Sequence, residues 1–390
     1  MTQVATVRLR DVCRQDRVSV KTGERSSLKY IGLESIEANT GEFANGVLSK
    51  TPEYPLANSF YFSPQHVLYG KLRPYLNKVA LPDFEGKCST EIIPLLPSAT
   101  LDRSYLSFFL RTPRIVTEIS GMTAGSRMPR ADLDYLLGLE IPVPPLHEQH
   151  RIVDILSRAE SIVRLRREAQ KKAAELVPAL FLDTFGDPAT NPKRWPILRL
   201  DDVSQVISGA TKGRRLAPDE AIELPYMRVA NVKDGHLDLR EIKTIQIKRT
   251  EVDRLKLEVG DLLMTEGGDP DKLGRAALWA GEVDLCVHQN HIFKVRSDRA
   301  HVLPEYLRAL VGSAYGKHHF LRIAKKTTGI ASINKTQLSA FPVMLPPLKI
   351  QSAFVSQVAA VESIQTQQST ATTQAEATFN ALLAQVFSGS

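Results

Sequence analysis

A stretch in the middle of the chain returns at its end, and this repeat constrains the fold more than any other feature. Residues 144–186 match residues 346–388 at a constant offset, without a gap. The identical positions include Pro144-Pro145-Leu146 with Pro346-Pro347-Leu348, Gln149 with Gln351, Glu160-Ser161-Ile162 with Glu362-Ser363-Ile364, and Phe185 with Phe387. An ungapped internal repeat of this length predicts duplicated structural units.

Both copies of the repeat are predicted to form long helices that begin after the Pro-Pro pair, because proline does not continue a helix interior. Apolar residues at alternating steps of three and four predict a pairing seam. Its members are Ile152, Ile155, Ala159, Ile162 and Arg166 in the first copy, and Phe354, Val361, Ile364 and Gln368 in the second. Neither stripe buries itself alone, so we expect the two helices to pair.

Two features modify this helical prediction. Pro178 is expected to kink or break the first helix near its end. Arg166 and Gln368 occupy the same repeat position, and in an antiparallel pair we expect them to lie close together as a polar layer that fixes the register.

The blocks that precede the two helices share one order of short strands. Val7–Val12 corresponds to Leu198–Val203, and Cys88–Pro97 corresponds to Cys286–Val295, aligned through their cysteines. The predicted fold class is α+β, with two α/β globules separated by two long helices that form an antiparallel coiled coil. The predicted boundaries are 1–146, 147–190, 191–348 and 349–390.

Composition narrows the class of protein. The net charge is +7, and the basic excess is concentrated in residues 191–348, which is compatible with nucleic-acid binding but does not require it. Three scattered cysteines do not form a disulfide framework. No apolar run reaches the length of a membrane span, and the first residues lack an apolar signal core. We therefore expect a soluble cytoplasmic protein with no membrane partner.

Basic loops flank the same scaffold strands in both globules. Arginine and lysine neutralise phosphates and reach guanine edges, whereas asparagine reads adenine. The predicted DNA-binding residues are Lys71, Arg73, Asn77, Ser126, Arg127 and Arg130 in the first globule, and Lys212, Arg214, Arg215, Lys272, Arg275, Lys325, Lys326, Asn334 and Lys335 in the second. For any one of these residues the alternative is a solvated surface loop.

Patterns that suggest catalysis or metal binding are incomplete. The loop Gly267–Arg275 lacks the spacing of a phosphate-binding loop. Asp219 followed by Glu241 and Lys243 resembles a nuclease pattern that is short enough to arise by chance. His288 and His291 have Cys286 nearby but no complete ligand set. The sequence predicts no catalytic residue and no metal site.

The chain resembles the specificity subunit of type I restriction-modification systems along essentially its whole length. The resemblance rests on the motifs IPVPPLHEQHRIV and FPVMLPPLKIQ, and on the predicted long helix after each. It also rests on the helix endings FLDTFG and VFSG and on the motif YGKLRPYLNKV before CST. The family implies two target-recognition domains, each reading half of an interrupted site on double-stranded DNA, with the helices as spacer.

The resemblance also implies partners and cofactors. Two modification subunits, which carry S-adenosylmethionine and methylate adenine, would dock on this chain, and ATP-driven restriction subunits are a further expected partner. The chain itself would recognise the DNA sequence, without catalysing a reaction and without a cofactor of its own. The competing interpretation is a coiled-coil adaptor whose globules bind proteins. If the chain is a reader, helix length sets the gap between the half-sites.

Overall fold

The computed structural model describes residues 5–21, 28–44, 58–124, 128–269, 272–327 and 329–387. The chain divides into two compact units. Unit 1 comprises Met1–Ala169 and Gln368–Ser390, and unit 2 comprises Gln170–Gln367. Each unit therefore combines one globule with the adjoining part of each long helix. The predicted boundaries at 146, 190 and 348 stay a prediction about domains, and the helices begin and end at the residues given below.

Unit 1 contains two four-stranded sheets and short helices. Its strands are β1 (Thr6–Arg8), β2 (Cys13–Gln15), β3 (Ser19–Lys21), β4 (Lys29–Ile31), β5 (Asn58–Phe62), β6 (Val67–Gly70), β7 (Val79–Ala80), β8 (Gly86–Ser89), β9 (Ile92–Pro97), β10 (Thr123–Ala124), β11 (Arg130–Ala131) and β12 (Glu140–Pro142). Its short helices are α1 (Leu9–Val12), α2 (Arg103–Leu110), α3 (Pro113–Gly121) and α4 (Leu133–Gly138). The four-stranded sheets have the orders β2-β9-β6-β7 and β3-β5-β8-β4.

The long helices are α5 (Leu146–Phe185) and α11 (Leu348–Phe387). At about 1.5 Å per residue, a helix of 40 residues is about 60 Å long. Helix α5 continues through Pro178, so the helix does not break there, and a kink stays a prediction. None of the helices in the described ranges is both long and apolar enough to cross a membrane.

Unit 2 repeats the plan of unit 1. Its strands are β13 (Ile197–Arg199), β14 (Ser204–Ser208), β15 (Ala221–Met227), β16 (Lys243–Lys248), β17 (Leu262–Thr265), β18 (Gly267–Gly268), β19 (Ala276–Leu278), β20 (Val287–His288), β21 (Ile292–Ser297), β22 (Lys325–Thr327), β23 (Ile330–Ser332) and β24 (Pro342–Met344). Its short helices are α6 (Leu200–Val203), α7 (Val252–Leu255), α8 (Pro304–Gly312), α9 (Ala314–Ile323) and α10 (Lys335–Ser339). The sheet β14-β21-β17-β19 has the order of β2-β9-β6-β7.

The strand registers correct the cysteine alignment of the two globules. In unit 1 the parallel pair β4–β8 places Ile31 opposite Cys88, and in unit 2 the parallel pair β15–β20 places Met227 opposite His288. The Cys88 thiol donates to the Ile92 carbonyl, and His288 Nδ1 contacts the Ile292 carbonyl at 2.9 Å. The structural counterpart of Cys88 is therefore His288, two residues after Cys286.

The repeated glutamine after Pro-Pro-Leu attaches each long helix to its globule. Gln149 is fully buried. Its Oε1 accepts from the backbone N–H of Asp102 at 2.8 Å, and its Nε2 donates to the carbonyls of Thr100 and Pro144 at 2.8 Å each. Gln351 makes the equivalent three bonds in unit 2. This explains why a polar residue recurs at a buried position.

The globule and both helix segments share one hydrophobic core in each unit. In unit 1 the start of α5 and the end of α11 pack on α2, with the Phe387 ring 5.0 Å from Tyr105 between centroids. In unit 2 the end of α5 and the start of α11 pack together, with Phe185 and Phe354 5.0 Å apart. Within each unit, the start of one helix meets the end of the other, as in an antiparallel pair.

The buried positions of the long helices correct the predicted seam. Ile155, Ile162 and Ile364 are 41%, 51% and 50% exposed. Buried and half-buried positions instead follow steps of four and three: Ile152, Leu156, Ala159, Val163, Arg166, Gln170, Ala173, Val177 and Leu180 in α5, and Phe354, Val358, Val361, Gln365, Gln368, Thr372, Ala375, Phe379 and Leu382 in α11. In the seam, Leu156, Val163 and Gln365 thus take the places predicted for the isoleucines that precede them. The other six predicted positions are buried or half-buried.

The polar positions near the middle of the helices make specific contacts. In unit 1, Arg167 Nε donates to Glu376 Oε1 at 2.8 Å, and in unit 2, Gln365 Nε2 donates to the Ala173 carbonyl at 2.6 Å. Arg166 and Gln368 are both half-buried. A direct contact between them stays a prediction.

Candidate nucleic-acid interface

A backbone clamp positions one loop residue at the end of the β2-β9-β6-β7 sheet of unit 1. Lys71 directly follows β6, and its N–H donates to the Glu91 carbonyl at 2.9 Å. The Lys71 carbonyl accepts from the N–H of Ala131 at 2.8 Å, and Leu72 forms an isolated bridge with Arg130. Three segments that are distant in sequence therefore meet at Lys71.

The side chains at this clamp form a charged cluster. Arg130 binds the Glu91 carboxylate through Nε at 3.0 and 3.2 Å and through Nη2 at 2.8 Å. The hydrogen bonds from Arg130, aided by the charge of Lys71, lower the pKa of Glu91. A cleft of about 480 Å³ lies beside the cluster and is lined by Gln15, Arg17, Lys71, Arg130, Ala131, Asp132, Leu133 and Asp134. The structure thus brings two predicted DNA-binding residues, Lys71 and Arg130, to one cleft.

The other predicted residues of unit 1 have different surroundings. Arg73 is exposed, with φ of 53°. Asn77 also has a positive φ, of 48°, and is half-buried, with Nδ2 donating to the Arg111 carbonyl at 3.4 Å. The Asn77 side chain therefore contacts the protein interior. Ser126 and Arg127 lie outside the described residues.

Unit 2 has the same clamp with different side chains. The N–H of Glu266 donates to the His291 carbonyl at 3.0 Å, and the Glu266 carbonyl accepts from the N–H of Ile333 at 2.9 Å. His291 Nδ1 contacts Glu266 Oε2 at 2.6 Å. The sequence prediction missed Glu91, Glu266 and His291 because it considered mainly basic loop residues. It missed Arg17 because this residue, which follows β2, lies far in sequence from most of the other cleft residues.

The predicted residues near the clamp of unit 2 lie on or beside the sheet β18-β23-β22. Lys325 and Lys326 are exposed on β22. Lys272, which follows β18, forms an ion pair with Asp269. The Arg275 carbonyl accepts from the N–H of Thr265. The two lysines of β22 are therefore accessible to solvent, and their contact with DNA stays a prediction.

The remaining predicted residues of unit 2 belong to two other segments. In the loop after β14, Lys212 and Arg215 are exposed, whereas Arg214 Nη1 contacts Glu251 at 2.8 Å. Asn334 caps helix α10, accepting from the N–H of Gln337 at 2.9 Å, and Lys335 is exposed beside it. The Asn334 side-chain oxygen is thus occupied by the cap, and Arg214 by an ion pair.

The histidines considered as metal ligands have structural partners. His288 is fully buried, and burial lowers its pKa to about 4. His291 is held by Glu266. Over the described ranges, no group of three or more His, Cys, Asp or Glu residues is arranged to hold a metal ion.

Comparison with known proteins identifies the family. The family model described as "Type I restriction modification DNA specificity domain" matches residues 1–175 and 192–377. The EcoKI specificity subunit of Escherichia coli strain K12 is 24% identical over 393 residues, covering 93% of this chain and 83% of that subunit. The StySPI specificity subunit of Salmonella potsdam is 22% identical over 382 residues, covering 92% of this chain and 82% of that subunit.

Solved structures share the fold. A chain from a study of complex assembly and conformational transition in a type I R-M system aligns with a TM-score of 0.63 at 19% identity, covering 99% of this chain and 98% of that one. The type I S subunit from M. genitalium aligns with a TM-score of 0.54 at 13% identity, covering 99% and 97%. With two matched copies that span most of its length, this chain belongs to the type I restriction-modification DNA specificity family.

Proposed function

We propose that each unit reads one half of a bipartite site on double-stranded DNA, and that the two long helices set the gap between the halves. The observation that carries this proposal is the duplicated clamp. The backbone bonds at Lys71 and Glu266 are alike within 0.1 Å, whereas the side chains around them differ in charge. A common scaffold with divergent loop side chains suits two readers of different sequences.

The chain acts in this proposal without a catalytic centre or cofactor of its own. Its three thiols, on Cys13, Cys88 and Cys286, are buried, and burial raises the pKa of each to about 12. A thiol in that state is a poor nucleophile. In this proposal, S-adenosylmethionine, ATP and Mg²⁺ are bound only by partner subunits.

Two modification subunits dock on the helices in this proposal. In unit 1, Ile155, Ile162 and Leu165 of α5 are 41%, 51% and 59% exposed. Residues seven apart lie on the same side of a helix, and Leu165 follows three residues later. An apolar stripe of this kind suits a protein partner, and restriction subunits would join the same assembly.

Sequencing of methylated sites tests this function. Cells that express the modification subunits with this chain should methylate adenines within one interrupted sequence, and cells without the chain should not. The coiled-coil adaptor instead predicts the same methylation pattern in both cultures, together with no DNA affinity of the assembled complex in a gel shift.

A further inference from the structure

The clamp places three pairs of side chains at equivalent positions in the two units. The pairs are Lys71 with Glu266, Glu91 with His291, and Arg130 with Ser332. The equivalence rests on backbone contacts. Lys71 and Glu266 donate to the carbonyls of Glu91 and His291, and each accepts from the N–H of the residue that follows Arg130 or Ser332. These side chains do not hold the clamp, since its backbone bonds persist although all three have changed.

The cluster of unit 1 presents hydrogen-bond donors. Arg130 uses Nε and Nη2 to bind Glu91, which occupies that carboxylate and leaves Nη1 available. The ammonium of Lys71 makes no side-chain hydrogen bond within the described part of the chain, and it carries three donors. Arg17, which donates to the side chain of Gln15, lines the same cleft. Asp132 is the N-cap of α4, so one of its oxygens already accepts two backbone N–H groups.

The cluster of unit 2 presents hydrogen-bond acceptors. A carboxylate oxygen accepts hydrogen bonds, so Glu266 Oε2 accepts in its contact with His291 Nδ1. This contact occupies Glu266 Oε2 and leaves Glu266 Oε1 as an acceptor. The side chains of His291 and Glu266 are 55% and 32% exposed, so both reach solvent. Ser332 adds no charge where unit 1 has Arg130.

We propose that this position reads one base in each half-site, and that the two units require opposite chemistry there. The proposal rests on the function proposed above. Lys71 selects the O6 and N7 acceptors of guanine, whereas Glu266, oriented by His291, selects an exocyclic amino group, N4 of cytosine or N6 of adenine. Lys71 and Glu266 are thus specificity-determining residues.

Variants at the two positions test the proposal in the complex with modification subunits, with sequencing of methylated sites as the measurement. Lys71→Glu, and Lys71→Met, which adds no charge, should each reduce the preference for guanine at one position about tenfold or more. The other half-site should be unchanged. Lys71→Arg should keep guanine, because arginine also donates to guanine O6 and N7. Glu266→Lys should lose the preference for an amino-bearing base in the other half-site. The identity of the base that is no longer preferred shows whether Glu266 selects cytosine or adenine.

The matched control is Arg14→Glu. Arg14 is exposed and neighbours Gln15 on β2, but successive strand residues face opposite sides, so it does not line the cleft. The DNA sequence that is methylated in the presence of Arg14→Glu should be the same as with the unmodified chain. If Lys71→Met and Glu266→Lys each direct methylation of the same DNA sequence as the unmodified chain, the proposal is overturned. Uniformly weaker methylation without a changed sequence would also overturn it, because that result indicates phosphate contacts. If the unmodified chain directs no sequence-specific methylation, the proposed function itself is refuted.

Discussion

Gln351 accepts a hydrogen bond from the backbone N–H of Leu303 at 2.9 Å, which joins the start of α11 to the residue before α8. Its Nε2 donates to the carbonyls of His301 and Pro346 at 3.1 and 2.7 Å. A side chain of leucine size without polar atoms would leave all three backbone groups without this partner. The two tryptophans, Trp195 and Trp279, lie in unit 2, so their fluorescence reports on the unit that contains Gln351.

We predict that Gln351→Leu destabilises unit 2 by at least about 2 kcal/mol, because each unsatisfied buried polar group costs about 1–3 kcal/mol. Urea unfolding followed by tryptophan fluorescence measures the change. Gln357→Leu, at an exposed position six residues later in α11, is the control and should change the stability by less than about 0.5 kcal/mol. Equal effects of both variants would show that the buried amide does not stabilise the junction.

His288 should make unit 2 sensitive to acid. Burial is the main cause that lowers its pKa from 6.5 to about 4, with Lys294 and Arg254 adding to the shift and the Ile292 carbonyl and Asp261 opposing it. Between these values the unfolded state binds a proton that the folded state does not, so stability falls as the pH drops from about 6.5 towards 4. From pH 7 to pH 5 this one group should remove about 2 kcal/mol.

The His288→Cys variant places at this position the residue that unit 1 has in Cys88, and it should lose less stability between pH 7 and pH 5 than the unmodified chain. Urea titrations at the two pH values measure the difference. His236→Cys, at an exposed position of the same unit, should behave as the unmodified chain does. The same acid sensitivity in the His288 variant would exclude His288 as the cause.

Binding of the assembled complex to DNA should depend strongly on salt. If about six phosphates are neutralised, the logarithm of the association constant should fall against the logarithm of salt concentration with a slope near −5. A gel-shift series from low to moderate salt measures this slope. A flat response would count against DNA as the ligand.

Helix length should set the gap in the recognised sequence. One heptad added to the middle of both α5 and α11 lengthens each by about 10 Å, or about three base pairs of DNA. Sequencing of methylated sites should then show the same half-sites with a longer gap. An unchanged gap would refute the spacer role of the helices, and substitutions at the same place without a change of length provide the control.

The repeat was sufficient to predict the duplicated α+β plan, but it did not fix which neighbouring apolar residue faces the seam. Ile155 and Leu156, like Ile162 and Val163, are adjacent apolar residues, and only packing against the partner helix and α2 selects the second of each pair. The alignment of Cys88 with Cys286 was wrong because it rested on residue identity, whereas the strand registers align Cys88 with His288. The sequence did not indicate Glu91 and His291, because each of them joins the charged cluster through a contact with a segment 25 to 39 residues away in the chain.

The two units should read their half-sites independently of each other, and replacement of one globule tests this independence. In a chain whose residues 191–348 are exchanged for the corresponding block of a related specificity subunit with a known site, methylation sequencing should show one half-site retained and the other changed to that of the donor. A sequence in which both halves change, or neither does, would show that the two units do not read separate half-sites.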